Sequence, residues 1–325
     1  MSVLVAGGAG YIGSVTAKVL VEAGHEVVVY DNLSRGHPQA VPEGATFYNG
    51  ELGNEECLRE AMRKHGVTCV MHFAAHSIVP ESMAHPELYF ENNVAVGLKI
   101  LEAMRAEEVS YMIFSSTCAT YGIPDELPIV EDAPQNPRNP YGESKLMFEK
   151  MLRWYAEIHG IHATVLRYFN ACGAYDGLGE DHDPETHLIP LLLQVPLGKR
   201  ENIHIFGTDY DTRDGTCIRD YIHVRDLAQA HLLAMEKSAE GYSDYNIGNG
   251  SGYTVREVVE SARRITGHEI PAVEAPRRAG DPPALVGSCE KLKRELGYKP
   301  EIVEIDDIVA SAWEWHKRFP SGYEG

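Results

Sequence analysis

Paired cysteines, long apolar runs and an excess of positive charge are all lacking in this 325-residue sequence. Its six cysteines are scattered without a CxxC pair, so the sequence predicts neither a disulfide framework nor a thiolate zinc site, and a reducing cytoplasm is the expected compartment. No run of about 18 apolar residues is available to span a bilayer. No basic segment precedes the apolar residues near the start, so a secretory signal is not expected.

Basic charge is scarce, because 29 lysine and arginine residues stand against 48 acidic ones and leave a formal net charge of −19. A chain this acidic repels polyphosphate backbones and anionic lipid surfaces at long range, so neither nucleic acid nor a membrane is an expected partner. The composition is otherwise that of a globular protein, with 44% hydrophobic and 24% charged residues. The length suffices for about two domains of ordinary size.

Apolar strands and amphipathic helices alternate through the first half of the chain. The predicted strands cover residues 3–6, 26–30, 46–49, 69–73, 111–114 and 163–166, and the predicted helices cover 11–23, 54–65, 86–106 and 141–159. Strands that are apolar throughout favour a parallel sheet covered on both faces. The sequence therefore predicts a Rossmann-like, doubly wound α/β layer. After about Asn170 the alternation loosens, which indicates a smaller α/β region.

Three glycines, Gly7, Gly10 and Gly13, form a G-x-x-G-x-x-G turn between the first strand and the first helix. Glycines at these positions permit a tight turn, close approach of a pyrophosphate and close packing of the helix, whose N-terminus offers free N–H groups. Asp31 ends the second strand, where a carboxylate can accept both ribose hydroxyls and repel a 2′-phosphate. This pattern predicts NAD rather than NADP.

A second constellation follows the fifth predicted strand, where Ser115, Ser116 and Thr117 are succeeded by Tyr141 and Lys145. Residues four apart on a helix share a face, so we expect the Lys145 ammonium near the Tyr141 hydroxyl. A phenol with a pKa of about 10 is a poor base at neutral pH. We expect the lysine and an oxidised nicotinamide to lower the pKa of Tyr141 toward the useful range.

These residues resemble the extended short-chain dehydrogenase/reductase family, and within it the sugar-nucleotide 4-epimerases, over essentially the whole chain. The matching stretches are Gly7–Gly13, Asp31–Leu33, His72–Ala75, Asn92–Asn93, Ser115–Gly122, Tyr141–Lys145, Arg167–Asn170, Phe206–Gly207, Arg219–Val224 and Arg277–Asp281. The early stretches are common to many members, whereas the later ones are more specific to sugar-nucleotide epimerases.

The resemblance implies NAD-dependent 4-epimerisation of UDP-hexoses, most simply UDP-glucose and UDP-galactose, through a transient 4-keto sugar. It implies Tyr141 as the base for the sugar 4-hydroxyl, Thr117 as a hydrogen-bond partner of the same oxygen, and Lys145 as the ligand of the nicotinamide ribose. The alternatives left open are 4-epimerases of UDP-N-acetylhexosamine, UDP-glucuronate or UDP-pentose and, more distantly, a dehydratase or a 4-ketoreductase. A non-catalytic NAD-binding regulator is the alternative of another class.

The resemblance also implies two sets of binding residues. The expected cofactor-binding residues are Gly7, Gly10, Tyr11, Ile12, Gly13, Asp31, Asn32, Glu51, Leu52, Phe73, Ala74, Ala75, Asn93, Ser115, Tyr141, Lys145 and Tyr168. The expected substrate-binding residues are Ser77, Thr117, Tyr141, Phe169, Asn170, His187, Leu188, Phe206, Arg219, Arg278 and Asp281. Two arginines suit a diphosphate, since a guanidinium forms forked, charge-assisted contacts with phosphate. We expect residues 1–170, with return segments near 219–248, to bind NAD, and residues 171–325 to bind the UDP-sugar.

Several positions depart from the commonest family pattern. Glu51 stands where an aspartate is usual, Thr117 where a serine is frequent, and His187 where some members carry an asparagine facing the diphosphate. Leu285 stands where side-chain size is thought to decide whether an N-acetyl group fits. Cys118 and the following alanine stand where dehydratases carry an acid pair, so dehydration is disfavoured, and a buried thiol is the expected role of Cys118.

No metal site and one protein partner are expected. The histidines His72 and His76 lie at a strand end rather than on one helical face. His182 and His187, with Asp181 and Asp183 nearby, are the remaining combination for a divalent ion, and no metal is expected there either. In the family, helices equivalent to residues 86–106 and 141–159 pair across a two-fold axis, so the resemblance implies a homodimer.

Overall fold

A seven-stranded parallel sheet forms the centre of the computed structural model, which describes residues 1–237, 239–278 and 281–324. The strands of this sheet are β1 (Ser2–Ala6), β2 (Glu26–Asp31), β3 (Thr46–Asn49), β4 (Cys69–His72), β5 (Tyr111–Thr117), β6 (His162–Tyr168) and β11 (Tyr242–Ile247). Their spatial order is β11-β6-β5-β4-β1-β2-β3, and every neighbouring pair is parallel. The predicted doubly wound α/β fold is confirmed.

The helices cover both faces of this sheet. The helices of the first half are α1 (Tyr11–Glu22), α2 (Glu55–Lys64), α3 (Val79–Ala84), α4 (Pro86–Phe90), α5 (Val96–Ala106) and α6 (Pro140–His159). On one face α1 packs beside α8 (Val224–Lys237), and on the other α2 packs beside α5, with α6 also against the sheet. Alternate residues of β1 serve the two layers, since Val3 and Val5 pack into one core and Leu4 and Ala6 into the other. A central strand buried on both faces therefore reads as continuously apolar.

Three features of this layer were not fully predicted. β5 and β6 run on to Thr117 and Tyr168, past the apolar positions, because the two strands stay paired to their ends. The predicted helix 86–106 is interrupted by a π-helical stretch at Glu91–Ala95. The seventh strand, β11, lies within the return segment expected near 219–248, although no strand was predicted there, and it pairs with β6.

Most of the remaining elements build a third core beyond the sheet, whereas Leu292 and Leu296 pack into the core that contains Val3 and Val5. The remaining elements are β7 (Asn170–Cys172), α7 (Leu188–Leu193), β8 (Ile203–Phe206), β9 (Ile218–Arg219), β10 (Tyr221–His223), β12 (Tyr253–Thr254), α9 (Val255–Thr266), β13 (Ala272–Ala275), β14 (Ala284–Leu285), α10 (Glu290–Leu296) and α11 (Ile305–Arg318). Leu192, Val258 and Ile308 are fully buried where α7, α9 and α11 meet. Among the described residues, no helix is both long enough and apolar enough to cross a membrane.

Candidate active site

The glycine turn between β1 and α1 holds the chain in a conformation that other residues would strain. Gly7 has a φ of +79°, and a Cβ there would lie 2.6 Å from the backbone nitrogen of Ala74. A Cβ at Gly13 would lie 2.2 Å from the Gly7 carbonyl oxygen. At Gly10 the backbone is in the extended region, and a Cβ would meet the Gly7 oxygen at 3.4 Å. Gly7 and Gly13 are needed by the fold itself, whereas Gly10 leaves room for a ligand beside the backbone.

The start of α1 is suited to an anion. Its first turn contains no acidic residue, and no side chain caps it. The N–H groups at Tyr11, Ile12 and Gly13 therefore carry the partial positive charge of the helix N-terminus without an intrahelical acceptor. The Tyr11 hydroxyl donates to the Gly173 carbonyl oxygen at 2.6 Å, which holds the ring away from these donors. This arrangement fits a pyrophosphate.

Asp31 joins the glycine turn to the end of β2. It is buried, and its two carboxylate oxygens accept hydrogen bonds from the backbone N–H groups of Ala9, at 3.0 Å, and Leu33, at 2.8 Å. A carboxylate has about four acceptor positions, so capacity remains for ribose hydroxyls. Next to it, the Asn32 amide donates to both oxygens of Glu51 at 3.1 Å. The longer carboxylate at position 51 thus has a partner within the protein.

The loop after β4 lies against the glycine turn. The backbone N–H groups of Phe73 and Ala74 both donate to the Ala6 carbonyl, at 2.8 and 3.0 Å. Asn93, in the π-helical stretch, accepts from the His76 N–H at 2.9 Å and donates to the His76 carbonyl and to Ser144, both at 3.0 Å. A π-helical turn often marks a functional position, and here it orients the buried Asn93 amide toward the loop.

Thr117, Tyr141 and Lys145 meet where β5 ends and α6 begins. Asn139 caps α6 by accepting the Gly142 N–H at 2.8 Å, and Pro140 occupies the first helical position. Lys145 is buried, and its ammonium donates to the Ser115 carbonyl at 2.7 Å. The contact between β5 and α6 therefore places the Thr117 end of the strand beside Tyr141 and Lys145.

Burial shifts the pKa values of both titratable groups in this pocket. It raises the pKa of Tyr141 to about 12, and the Thr117 side chain opposes part of that shift. Burial likewise lowers the pKa of Lys145 to about 7, against the attraction of Glu149. The expected lowering of the Tyr141 pKa needs an oxidised nicotinamide as well as the lysine and stays a prediction, while in the structure the lysine ammonium is directed to Ser115.

Two aromatic residues at the end of β6 flank the same pocket. The Tyr168 hydroxyl donates to the Ser115 hydroxyl, and burial raises the pKa of this tyrosine well above its usual range. Phe169 lies so close to Gly287 that a Cβ there would meet the phenylalanine ring at 2.2 Å. Next along the chain, the Asn170 amide donates to the Asp220 carbonyl at 2.9 Å. These contacts connect β6 to the segment at 219–223.

The predicted substrate arginines are held in two different ways. Arg219 donates to the carbonyls of Ile218 and Pro282, at 2.8 and 3.0 Å, and forms an ion pair with Asp281 at 3.4 Å. The Arg278 guanidinium lies over the Phe206 ring, 4.1 Å from its centroid. The side chain of Arg219 is largely buried, whereas Arg278 is exposed. Arg219 is therefore rigidly positioned by three contacts, whereas Arg278 is held by a cation–π contact with Phe206.

The other predicted residues lie around this arrangement. Ser77 is exposed, just after the loop that follows β4. His187 precedes α7 and keeps about half of its side chain exposed. Leu188 begins α7 and packs against the third core, and Leu52 packs against the second. Leu285 forms the end of β14 and is half-buried.

Sheet topology explains why the predicted cofactor-binding and catalytic residues converge. The strands β5, β4, β1 and β2 are consecutive neighbours and parallel, so their carboxyl ends lie at one edge. That edge carries the Ser115–Thr117 hydroxyls, the loop that contains Phe73, the glycine turn and Asp31. In open α/β sheets this edge is where ligands bind.

The profile of the NAD dependent epimerase/dehydratase family matches residues 3–248, about three quarters of the chain. The chain belongs to this family. It is also similar over its full length to the UDP-glucose 4-epimerase of Streptococcus mutans, with 51% identity over 100% of this chain and 99% of that protein.

Solved structures of the family are also similar to this chain over its full length. A crystal structure of a UDP-glucose 4-epimerase shares 51% identity with a TM-score of 0.97, and covers 100% of both chains. The UDP-glucose 4-epimerase of Bifidobacterium longum, crystallised with NAD⁺ and UDP, shares 38% identity with a TM-score of 0.94, over 99% of this chain and 100% of that one.

Two sets of site-building residues escaped the sequence analysis. Asp220 is fully buried and accepts the backbone N–H groups of Asn249, Gly250 and Gly287, which ties two loops to the segment that carries Arg219. Its place within the Arg219–Val224 motif was the available signal. The second set is the carboxylates that approach His182 and His187, which are Glu180 and Glu185 rather than the aspartates considered from the sequence.

Proposed function

We propose that this chain is an NAD-dependent 4-epimerase that interconverts UDP-glucose and UDP-galactose. The observation that carries the proposal is the convergence of Thr117, Tyr141 and Lys145 at the sheet edge that also carries the glycine turn. The chain is 51% identical over its full length to UDP-glucose 4-epimerases, which supports UDP-glucose and UDP-galactose as the substrates. When bound, NAD supplies a hydride acceptor and donor, so that the sugar passes through a transient 4-keto form and returns inverted at C4 without net redox change.

Tyr141 acts as the general base and general acid. As phenolate, its oxygen takes the proton of the sugar 4-hydroxyl, and it returns a proton to the same oxygen when the configuration has changed. Thr117 donates a hydrogen bond to that oxygen and orients it. Because burial raises the pKa of Tyr141 to about 12, the phenolate needs added positive charge nearby. Lys145 keeps one N–H on Ser115 and has two further donors, which we assign to the nicotinamide ribose.

Binding is divided between the two parts of the chain. We propose that residues 1–170, with the return segments near 219–248, hold NAD through the glycine turn, Asp31 and the loop after β4. Residues 171–325 then supply the UDP-sugar site, with Arg219 and Arg278 on the diphosphate. The buried carbonyl contacts of Arg219 orient its guanidinium before substrate arrives, which lowers the entropy cost of binding. An acidic protein can thereby hold two pyrophosphates, because helix dipoles and arginines act locally.

The alternatives differ in the sugar. The half-buried Leu285, of intermediate size, leaves open UDP-N-acetylhexosamines, and UDP-glucuronate and UDP-pentoses remain further candidates. Cys118 and Ala119 in place of an acid pair disfavour dehydration. A non-catalytic NAD-binding regulator would not require a buried lysine beside the tyrosine, so the intact trio favours an enzyme.

A panel of UDP-sugars added to the purified protein without external oxidant or reductant tests the function. We expect UDP-glucose and UDP-galactose to interconvert to one equilibrium mixture from either side, as followed by chromatographic separation of the products. Thr117→Val serves as a matched variant, since it keeps the shape and removes the hydroxyl. If no panel member reacts while NAD and UDP still bind, the chain is not an epimerase.

We also propose that the protein is a cytoplasmic homodimer. Supporting the location, the six cysteines are unpaired in the structure. Supporting the dimer, α6 exposes an apolar stripe whose members recur at helical spacing, Met147, Trp154 and Ile158, and α5 adds the exposed Leu98. Trp154 and Ile158 are 60% and 64% exposed, which is unusual for large apolar side chains that are not covered by a partner.

Charging this stripe is expected to separate the subunits. The double variant Trp154→Glu/Ile158→Glu places two carboxylates where a two-fold partner would bring two more, so the dimer is expected to give way to a monomer. Light scattering coupled to size exclusion measures the mass of each species. Val273→Glu is the control, because Val273 is also an exposed apolar residue but lies on β13. A wild-type protein that elutes as a monomer contradicts the proposal.

A further inference from the structure

Four metal-ligating side chains converge beside the glycine turn, and they are Glu180, His182, Glu185 and His187. One ligand atom from each lies within 4.8 Å of every other. These four residues, called the His/Glu cluster below, occupy the loop between β7 and α7. The ring of His182 packs edge-on against Tyr11 at the start of α1, with 6.2 Å between centroids.

The spacing of the ligand atoms matches a tetrahedral ion. Ligands held 2.0–2.2 Å from zinc in a tetrahedron lie about 3.3 to 3.6 Å from one another. In the cluster, Glu180 Oε1 lies 3.2 Å from His182 Nδ1 and 2.8 Å from His187 Nδ1. Glu185 Oε2 lies 3.7 Å from His182 Nδ1, and its other oxygen, Oε1, lies 3.1 Å from His187 Nδ1. The four separations lie around the tetrahedral value, so an ion of this size can contact all four groups after small side-chain movements.

Hydrogen bonding within the protein accounts for only part of these approaches. His182 Nδ1 is buried and has no hydrogen-bond partner among the described residues, although carboxylate oxygens lie 3.2 and 3.7 Å away. Two ligands of one metal have this relation, since both aim at the ion and not at each other. His187 Nδ1 does reach Glu185 Oε1 with hydrogen-bond geometry, at 3.1 Å.

Charge and access also suit a cation. The side chains of Glu180 and Glu185 are only 5% and 7% exposed, and within the described part of the chain neither forms an ion pair with lysine or arginine. Two carboxylates at this depth require compensation. The histidines are 32% and 53% exposed, so they leave a path by which an ion can enter.

We propose that the His/Glu cluster binds one divalent transition-metal ion of the zinc type. Two imidazoles with two carboxylates favour zinc over calcium or magnesium, which prefer ligand sets made of oxygen alone. Because His187 immediately precedes α7, the ion ties Glu180 and the loop to the first turn of that helix. The role of this ion is structural, since it draws the loop together beside the glycine turn.

Protons are the competing occupants of the cluster. Although burial works in the opposite direction, the contacts with Glu180 and Glu185 raise the pKa of His182 to about 9. Glu180 raises the pKa of His187 well above its usual range. Two protonated histidines would neutralise the carboxylates without any metal, and binding measurements distinguish the two cases.

Zinc binding to the full chain, stripped with a chelator and then freed of it, tests the proposal. We expect one equivalent of Zn²⁺ by equilibrium dialysis with elemental analysis, and a rise in melting temperature on addition of the metal alone. Substitution with Co²⁺ is expected to give the visible spectrum of a tetrahedral nitrogen and oxygen site without a thiolate charge-transfer band. That spectrum separates the cluster from the six cysteines.

Variants locate the ion. Glu185→Gln keeps an oxygen that can accept the backbone N–H groups of Thr186 and His187, so the loop is preserved while a charged ligand is lost. This variant and His182→Gln are each expected to weaken Zn²⁺ binding by at least about tenfold. His204→Gln removes an exposed histidine outside the cluster and is expected to bind as the wild type does. Equal zinc affinity in all four proteins, or no stoichiometric zinc in the wild type, overturns the proposal.

Discussion

Replacing Tyr141 by phenylalanine is expected to lower the turnover number for UDP-galactose by about 100- to 10,000-fold, the usual contribution of a positioned acid–base group. The substitution removes only the hydroxyl. The ring at position 141 keeps its edge-on contact with the Tyr89 ring, with 6.3 Å between the two centroids. Bound NAD, measured after denaturation of the purified protein, is expected to stay at the wild-type level. Steady-state kinetics on both proteins give the ratio.

Tyr155→Phe is the matched control for this measurement. Tyr155 lies on the same helix, α6, and its hydroxyl donates to Glu102 at 2.5 Å, away from the edge of the sheet where Thr117 and Lys145 meet. Its loss is expected to leave turnover within about twofold, as for a surface hydrogen bond. Near-normal activity in Tyr141→Phe would show that another group is the base.

Replacing Glu149 by leucine is expected to destabilise the fold by about 3 to 5 kcal/mol, because it strands a buried guanidinium. Arg167 is fully buried, and it donates to both oxygens of Glu149 at 2.8 to 3.1 Å. It also donates to Asp244 and to the Tyr121 hydroxyl, each at 2.8 Å. Without Glu149 one carboxylate remains for the guanidinium, at the edge of the core. The melting temperature is expected to fall by on the order of 10 °C.

The double variant Glu149→Leu/Arg167→Met separates charge from packing. With both partners apolar, no charge is left alone, so most of the lost stability is expected to return. Asp244 then keeps its ion pair with Lys291 at 3.0 Å. Glu314→Leu breaks an exposed pair with Lys317 and is expected to cost less than about 1 kcal/mol. A double variant as unstable as Glu149→Leu alone would mean that shape, and not charge, is the cause.

The network around Arg167 also explains why β11 returns to the main sheet. Asp244 and Asn246 lie on this strand, and they join Arg167 and Tyr121 by hydrogen bonds across the edge of the layer. Nothing in residues 242–247 alone marks this pairing, since the partners lie 77 and 125 positions away in sequence. The strand is therefore specified by buried polar contacts that local hydrophobic periodicity does not report.

Much of the fold could be predicted because its signals are local. Apolar runs, helical spacing and the glycine turn lie within short windows, so the strands β1 to β6 and most helices of the first half followed from them. The apolar pattern stops short of the ends of β5 and β6, because Ser116, Thr117 and Arg167 are polar but paired within the sheet. The π-helical turn was missed because its sequence still has helical apolar spacing.

The candidate site was less predictable in its electrostatics than in its membership. Lys145 and Tyr141 stand four apart on one helix, as the spacing requires, but the lysine ammonium donates to Ser115. Burial then raises the pKa of the tyrosine and lowers that of the lysine. Spacing reports which side chains share a face, whereas the depth of burial depends on every element packed above them.

The sequence by itself determined the alternating α/β order, the glycine turn with Asp31, the Tyr141 and Lys145 pair, and an acidic chain with no run of about 18 apolar residues. Only the tertiary structure decided that Asp220 binds two loops, that Glu149 neutralises Arg167, and that Glu180 and Glu185 meet two histidines. The physical reason is distance along the chain. Periodicity and turn chemistry act between near neighbours, but a buried charge is satisfied by whichever partner the packed sheet and loops bring within reach.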